Sequence, residues 1–151
     1  MTTVRKLIRY TTAALVILAV LFVISIPIVN NITAVITLQA IEKIPLPEST
    51  EHIESISCAG KLTGNGNGMQ YFGAVLVKSG LSEDELDRYY SAYRKNEWQY
   101  IVGTQTSNDI AQVEHTPLKF GSKLSHGDNY YIIYTWGTGI TPFSLLDIRG
   151  H

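Results

Sequence analysis

The chain has 151 residues, of which 45% are hydrophobic and 17% charged, with a net charge of −1 and one cysteine. The length fits one domain with at most an appendage, and the apolar content excludes a disordered chain. One cysteine excludes a disulfide scaffold and a four-cysteine zinc site, and without a net positive charge we predict no nucleic-acid partner. Residues 1–41 carry a charge of +3 and residues 42–151 a charge of −4, which indicates two environments.

A long uncharged segment lies between Arg9 and Glu42. Its most apolar part, residues 13–29, would form a helix about 26 Å long, and a few flanking residues extend it to the ~30 Å hydrocarbon core of a bilayer. The rest of the chain is too small to bury such a helix on every side. We therefore predict a transmembrane helix at residues 11–31, with the lipid bilayer as its partner.

The segments on either side of this span follow from their composition. Residues 1–10 form a short tail, and residues 32–47 are predicted as a juxtamembrane stalk and linker that ends in Pro45 and Pro47. The stalk carries an apolar stripe at roughly helical spacing, which could lie on lipid headgroups or pair with another helix. The stripe consists of Ile32, Val35, Ile36 and Ile41.

The charges beside the span predict its orientation. Arg5, Lys6 and Arg9 precede it, and only Lys43 follows closely. Basic residues stay on the cytoplasmic side, so the tail is predicted to be cytoplasmic and the C-terminal domain to lie outside the cytoplasm. A cleaved signal peptide is the alternative, but the apolar core is longer than usual and no A-x-A site follows it. Cys58 lies too far from the core for a lipoprotein signal.

Residues 48–151 are predicted to form an extracytoplasmic α+β domain. A β-hairpin is expected at residues 54–78, because a Gly/Asn-rich turn precedes the aromatic and β-branched run of residues 69–78. This glycine run superficially resembles a phosphate-binding loop, but a β-rich segment follows it where such a loop requires a helix. We therefore interpret it as a turn.

The helix after the hairpin has the clearest signal. Ser82 is a favourable N-cap, and Glu85 completes a capping box. Four side chains then follow helical spacing and are predicted to pack on a sheet. They are Leu86, Tyr89, Tyr90 and Tyr93.

The remaining elements are strands separated by loops. We predict a strand at residues 98–105, a short edge strand at 112–115, a strong strand at 130–136, and a short strand or a helical turn at 143–149. The order β-β-α-β-β predicts a small antiparallel sheet with one packed helix, preceded by the transmembrane helix.

The segment SGLSEDELDRYYSAYRKNEW resembles small bacterial membrane-anchored or lipoprotein-like extracytoplasmic proteins of unknown function. The shared phrase is a Leu-Ser helix start, a helix ending in Tyr-Tyr and a Trp that opens the next strand, here Leu81-Ser82, Tyr89-Tyr90 and Trp98. The resemblance covers about 20 residues. It implies an architecture and no activity, and it carries over no catalytic residue.

Few residues offer catalytic or metal-binding chemistry. His115, His126, Asp109 and Asp128 are close in sequence around a long loop, but their spacing matches no ligand motif. Cys58 has no surrounding nucleophile signature, and a lone cysteine is commonly a small buried side chain. We predict no catalytic residue, no metal site and no cofactor.

The candidate partner-binding residues come from the glycine-rich turn and the aromatic strand. A Gly/Asn tip can contact a partner, and Tyr and Trp are enriched at interfaces. Tyr130 and Tyr131 are adjacent in a strand, so at least one of them should face solvent or be covered by a helix or loop. The candidates are Asn65, Asn67, Tyr130, Tyr131 and Trp136.

These observations predict a single-pass membrane protein that displays a small binding domain, with a protein of the cell envelope as its partner. Two alternatives remain. An envelope hydrolase requires His115, His126, Asp109 or Asp128 to converge in a cleft. A protective or inhibitory membrane protein, of the immunity type, fits the small size and the anchored domain.

Overall fold

The computed structural model describes residues 2–62, 68–94, 99–114, 117–125, 127–137 and 139–150. Its first element is one continuous helix of 41 residues, α1 (Thr2–Glu42), which runs through Pro27 without a break. Among the described residues, this is the one helix that is long and apolar enough to cross a membrane. Its first half stands free of the rest of the chain, and its second half packs on a sheet.

The fold after α1 is α+β, as predicted. The strands are β1 (Thr50–Leu62), β2 (Gln70–Ser79), β3 (Ile101–Thr104), β4 (Asp109–Ile110), β5 (Val113–Glu114), β6 (Leu118–Lys119) and β7 (Tyr130–Gly137). The helices after α1 are α2 (Glu83–Ser91), α3 (Phe143–Leu146) and the 3-10 turn Ile148–Gly150. Among the described residues, five strands form one antiparallel sheet in the order β3-β7-β2-β1-β5, and β4 pairs with β6 separately.

The predicted hairpin is present, because β1 and β2 pair antiparallel from Thr50 opposite Ser79 to Gly60 opposite Gln70. Its turn, with Asn65 and Asn67, lies outside the described residues. The predicted edge strand is β5, which pairs with β1. The segment after Pro142 adopts the helical alternative.

The sheet has apolar layers on both faces, because its central strands alternate their side chains between two clusters. On one face, α1 and α2 bury Val75, Val77, Tyr131 and Ile133. On the other face, the segment that contains β4, β5 and β6 buries the second cluster. That cluster includes Phe72, Ala74, Leu76, Ile110, Val113, Phe120, Tyr130 and Ile132. The second layer is fixed by Glu54, whose carboxylate accepts from the backbone N–H groups of Gly121 and Ser122 at 2.9 and 2.8 Å.

The second half of α1 lies unusually close to the sheet. A Cβ atom on Gly73 of β2 would come within 2.5 Å of the Leu38 backbone, and one on Gly137 of β7 would collide with the Thr37 side chain. At Gly73 only glycine fits without moving the helix, because the neighbouring atoms are backbone. Gly73 therefore lets the backbones of α1 and β2 come into direct contact, and Gly137 makes room for the Thr37 side chain.

The sequence-based prediction of a stalk at residues 32–47 differs from the structure. This segment continues α1 and packs on the sheet beside α2 through small, polar and aliphatic residues. Of the predicted apolar stripe, only Ile41 is buried, whereas Ile32, Val35 and Ile36 are exposed. The buried residues of this part of α1 are Asn30, Thr33, Ala34, Thr37, Leu38 and Ile41. Of these, Leu38 and Ile41 join the apolar cluster that α2 also covers.

The capping box of α2 is confirmed. The Ser82 hydroxyl accepts from the Glu85 backbone N–H at 3.3 Å, and the Glu85 carboxylate accepts from the Ser82 backbone N–H at 2.8 Å. Leu86 and Tyr90 are buried as predicted. Tyr93 lies beyond the end of the helix and is exposed.

Replacing the cap tests its contribution. Ser82→Ala should lower the free energy of unfolding by about 1 kcal/mol, because the first turn of α2 loses its side-chain acceptor. Ser82→Thr keeps the hydroxyl, which accepts from the Glu85 backbone N–H and donates to the Glu85 carboxylate, and should restore most of the loss. Thermal unfolding of the detergent-solubilised chain measures both variants, and an equal loss in both would show that the hydroxyl acts in some other way.

Candidate functional site

A network of hydrogen-bonded polar side chains lies where the free half of α1 meets the sheet. It consists of Asn30, Asn31, Tyr71, Asp147 and Arg149 and is called the junction below. Asn30 is fully buried. Its side-chain amide donates to the Asp147 carboxylate at 2.8 Å and to the Phe143 carbonyl at 3.1 Å, and its oxygen accepts from the Tyr71 hydroxyl at 2.6 Å. The buried amide therefore has a partner for each of its polar atoms.

Asp147 and Arg149 form a two-pronged ion pair within the junction. Arg149 donates from Nε to Oδ1 of Asp147 at 2.9 Å and from Nη2 to Oδ2 at 2.6 Å. It also donates from Nη1 to the Asn31 side chain at 2.8 Å. Asp147 is only 4% exposed. Such a planar fork fixes orientation as well as charge, so the C-terminal segment is held on α1 in one geometry.

The charges of the junction compensate each other. Hydrogen bonds from Arg149, with help from the Asn30 amide and against the effect of burial, lower the pKa of Asp147 to about 2. The hydrogen bond to Asp147 raises the pKa of Arg149. Burial raises the pKa of Tyr71, so its hydroxyl stays protonated and donates to Asn30. The junction is thus an ionised but internally neutral cluster.

The low pKa of Asp147 makes the junction sensitive to acid. Its folded pKa of about 2 is below its ordinary value of 3.8, so its contribution is complete above the ordinary value and is lost as pH falls towards about 2. We expect wild type to be more stable than Asp147→Asn at neutral pH and the two to converge in acid. Unfolding of both proteins across this range measures the difference.

Other acid titrations cancel in that comparison. The pKa of Glu54 is also lowered, where burial is outweighed by hydrogen bonds from Gly121 and Ser122, but Glu54 is common to both proteins. A stability difference that stays constant from neutral pH to acid would contradict a role for the Asp147 charge.

The C-terminal segment 139–150, called the strap, crosses the end of the sheet nearest the free half of α1. A Cβ atom on Gly139 would lie 2.6 Å from the Tyr71 ring, and one on Gly150 would lie 2.5 Å from the Met69 nitrogen. The Gly68 N–H donates to the Gly150 carbonyl at 2.7 Å. The strap is therefore held against both β2 and α1.

The opposite end of the sheet carries an open polar cleft of about 540 Å³. α1 runs parallel to β2, because Ala34 packs near Tyr71 while Leu38 is beside Gly73. This end is therefore the farthest from the free half of α1, and it is called the far end below. The cleft is lined by Ser49, Thr50, Glu51, Lys78, Ser79, Gly80, Gly127, Asp128 and Asn129.

The sequence-predicted partner residues that the structure describes are Tyr130, Tyr131 and Trp136, and they do not form one surface. Tyr130 and Tyr131 are each 7% exposed, with Tyr131 under the helices and Tyr130 under the opposite layer, so neither ring is available to a partner. Both are covered, which is one of the two predicted outcomes. Trp136 is half-buried, 4.9 Å from the Phe72 ring centre. Asn65 and Asn67 lie outside the described residues.

The residues considered for catalysis have separate structural partners where they are described. Asp109 pairs with Lys119 at 2.7 Å, and Asp128 pairs with Lys78 at 2.8 Å. Cys58 is half-buried, and burial raises its pKa against the influence of Arg149, which disfavours a reactive thiolate. His115 and His126 lie outside the described part of the chain. Within the described ranges, no group of three or more His, Cys, Asp or Glu residues could hold a metal ion.

The junction was missed by the sequence analysis. Its members were visible only as two asparagines ending an apolar run and as one acid and one base in an otherwise apolar C-terminal segment. A polar side chain at the end of a long apolar helix needs hydrogen-bond partners, and this requirement is the signal that could have identified the junction.

Comparison of the chain with protein-family models, with curated proteins and with solved structures finds no match.

Proposed function

We propose that this protein is a single-pass membrane protein, with its N-terminus in the cytoplasm, that holds a small binding domain at the outer surface of the bilayer. The observation that carries the proposal is the exposure of the first half of α1. Of its most apolar 18-residue stretch, only 6% is buried against the rest of the chain. Water is a poor environment for such a surface, whereas lipid accommodates it and the helix satisfies its own backbone.

The orientation is supported by the charges at the two ends of this stretch. Arg5, Lys6 and Arg9 lie before it, and the next charged residue along the chain is Glu42. Retention of basic residues in the cytoplasm places the sheet on the other side. The junction at Asn30 and Asn31 then lies at the outer boundary of the hydrocarbon.

The binding role is supported by the far end of the sheet. In the proposed orientation the cleft there points away from the bilayer. Its lining combines Lys78, Asp128 and Glu51 with backbone groups of two loops, and Asn129 and Glu51 are exposed. Mixed charges and accessible loop backbone suit a polar protein surface. We propose that a protein of the cell envelope binds at this end.

Membrane integration and topology are tested together. Extraction of membranes with alkaline carbonate should leave the full-length chain in the pellet. In a Cys58→Ala background, a membrane-impermeant maleimide should label Thr106→Cys in intact cells and label Thr3→Cys only after permeabilisation. Release by carbonate, or the opposite labelling pattern, would overturn the proposal.

The far-end binding surface is tested by site-specific photocrosslinking in intact cells. A photoreactive residue at Asn129 should give one discrete adduct with an envelope protein. The same residue at Lys119, which is also exposed but lies on the β4–β6 layer, is the matched control and should give none. Equal crosslinking at both positions, or at neither, counts against a binding site at the far end.

A further inference from the structure

The strap exposes four large apolar side chains. Ile140 is 52% exposed, Leu145 65%, Leu146 49% and Ile148 86%. They are close together within nine residues, whereas the charged side chains of the same segment, Asp147 and Arg149, turn to each other and to α1. A contiguous apolar patch of this kind marks a surface that something other than water contacts.

The position of the strap along α1 indicates what that contact is. The Phe143 ring lies 5.9 Å from the Phe22 ring, and Ile26 is buried. If the hydrocarbon begins just after Arg9, about 20 helical residues fill its ~30 Å and it ends near Val29. Phe22 then lies about 10 Å below the outer boundary. The strap therefore sits beside a part of α1 that a spanning helix must place in lipid.

Several backbone groups of the strap have the internal acceptors that N–H groups need at lipid depth. The backbone N–H of Ser144 donates to the Ile140 carbonyl at 3.1 Å, that of Leu146 donates to the Pro142 carbonyl at 3.2 Å, and that of Arg149 donates to the Asp147 carboxylate at 3.1 Å. Proline at position 142 has no N–H to satisfy. The ion pair is neutral as a unit. Its aspartate is 4% exposed, and its arginine side chain, which donates to Asn31 near the boundary of the hydrocarbon, is 38% exposed.

An apolar groove joins the strap to the span. It is lined by Val23, Ile26 and Pro27 on α1 and by Leu146, Asp147, Ile148 and Arg149 on the strap. Val23 and Pro27 are exposed, so the groove opens on the surface of α1 that the proposed span turns to lipid. Acyl chains that surround the helix would therefore extend over the strap as well.

We propose that the strap is a second membrane contact, with Ile140, Leu145, Leu146 and Ile148 inserted among the acyl chains of the outer leaflet. The proposal rests on the membrane span of the proposed function. It goes further, because it gives the C-terminus of a nominally single-pass protein a place in the bilayer. The junction then holds the polar side of the strap against α1, while the apolar side of the strap lies in lipid.

Fluorescence quenching by nitroxide-labelled lipids tests the insertion. The full chain, in a Cys58→Ala background, carries an environment-sensitive dye at Leu145→Cys or Ile148→Cys and is reconstituted into phosphatidylcholine vesicles. Leu18→Cys in the span and Thr106→Cys in the domain are the reference sites. We expect blue-shifted emission at both strap sites, with quenching close to that at the Leu18 site and well above that at the Thr106 site.

The reference sites separate the two proposals. Quenching at the Leu18 site with none at the strap sites overturns the inserted strap and leaves the span intact. Blue-shifted but unquenched strap sites indicate cover by protein, either a partner or a second copy, and also overturn it. Absence of quenching at the Leu18 site removes the span, and the inserted strap with it.

Discussion

Asp147→Ala should lower the free energy of unfolding of the full chain by about 3 kcal/mol, because it leaves a partly buried charge and a fully buried amide without their acceptor. The carboxylate is the acceptor for both prongs of Arg149, whose side chain is 38% exposed, and for the Asn30 amide. Without it, the NH2 group of Asn30 keeps only its bond to the Phe143 carbonyl. Urea unfolding in detergent micelles, followed by tryptophan fluorescence, measures the loss.

The matched control is Asp109, a solvent-exposed aspartate with a similarly short ion pair. Asp109→Ala removes the carboxylate that Lys119 contacts at 2.7 Å, with both side chains mostly exposed. Its effect should be no more than about 1 kcal/mol, since exposed pairs gain little over hydration. If the two alanine variants lose similar stability, the junction does not hold the strap in the way described above.

Gly73→Ala is expected to cost about 2 kcal/mol, because one added methyl group overpacks a contact between two backbones. The new Cβ would meet the Cα and N atoms of Leu38 at 2.5 Å, and a helix backbone cannot rotate away as a side chain can. The second half of α1 would have to move off β2. The same unfolding measurement applies, and hydrogen exchange of residues near Leu38 should accelerate.

Gly103→Ala provides the comparison for this variant. Gly103 is also a strand glycine, but its added Cβ would meet only the Ile132 side chain, at 3.8 Å, an ordinary contact. Its stability should change little or rise slightly, because alanine restricts the unfolded chain. A loss at Gly103 as large as that at Gly73 would point to strand glycines in general and not to the helix contact.

Local patterns were sufficient to predict the elements whose causes are local. The capping box at Ser82 and Glu85, the hairpin and the uncharged run of α1 each depend on neighbours in sequence. The packing of α1 on the sheet does not. Its buried face combines the small or polar residues Ala34 and Thr37 with Leu38 and Ile41, while Ile32, Val35 and Ile36 of the same segment face outward. The reason lies in Gly73 and Gly137, whose role is visible only when distant strands come together.

The junction was beyond prediction for the same physical reason. Asn30 and Asp147 are 117 positions apart, and neither carries a motif. Tyr130 and Tyr131 illustrate the same limit, because aromatic composition suggested a binding surface, whereas both rings lie in the core. Tyrosine side chains are favoured both at interfaces and in cores, so composition alone does not assign them to either until the layers of the fold are known.

Because α1 is unbroken from its free half to the sheet, it limits how far the sheet can extend from the membrane. No flexible tether separates the two parts, and the 13 helical residues from Asn30 to Glu42 cover only about 20 Å. In the proposed orientation, the far end of the sheet is held at a constant height above the lipid headgroups. A binding partner would have to present its own surface at that height. This favours proteins that are anchored in the same membrane over proteins that diffuse freely.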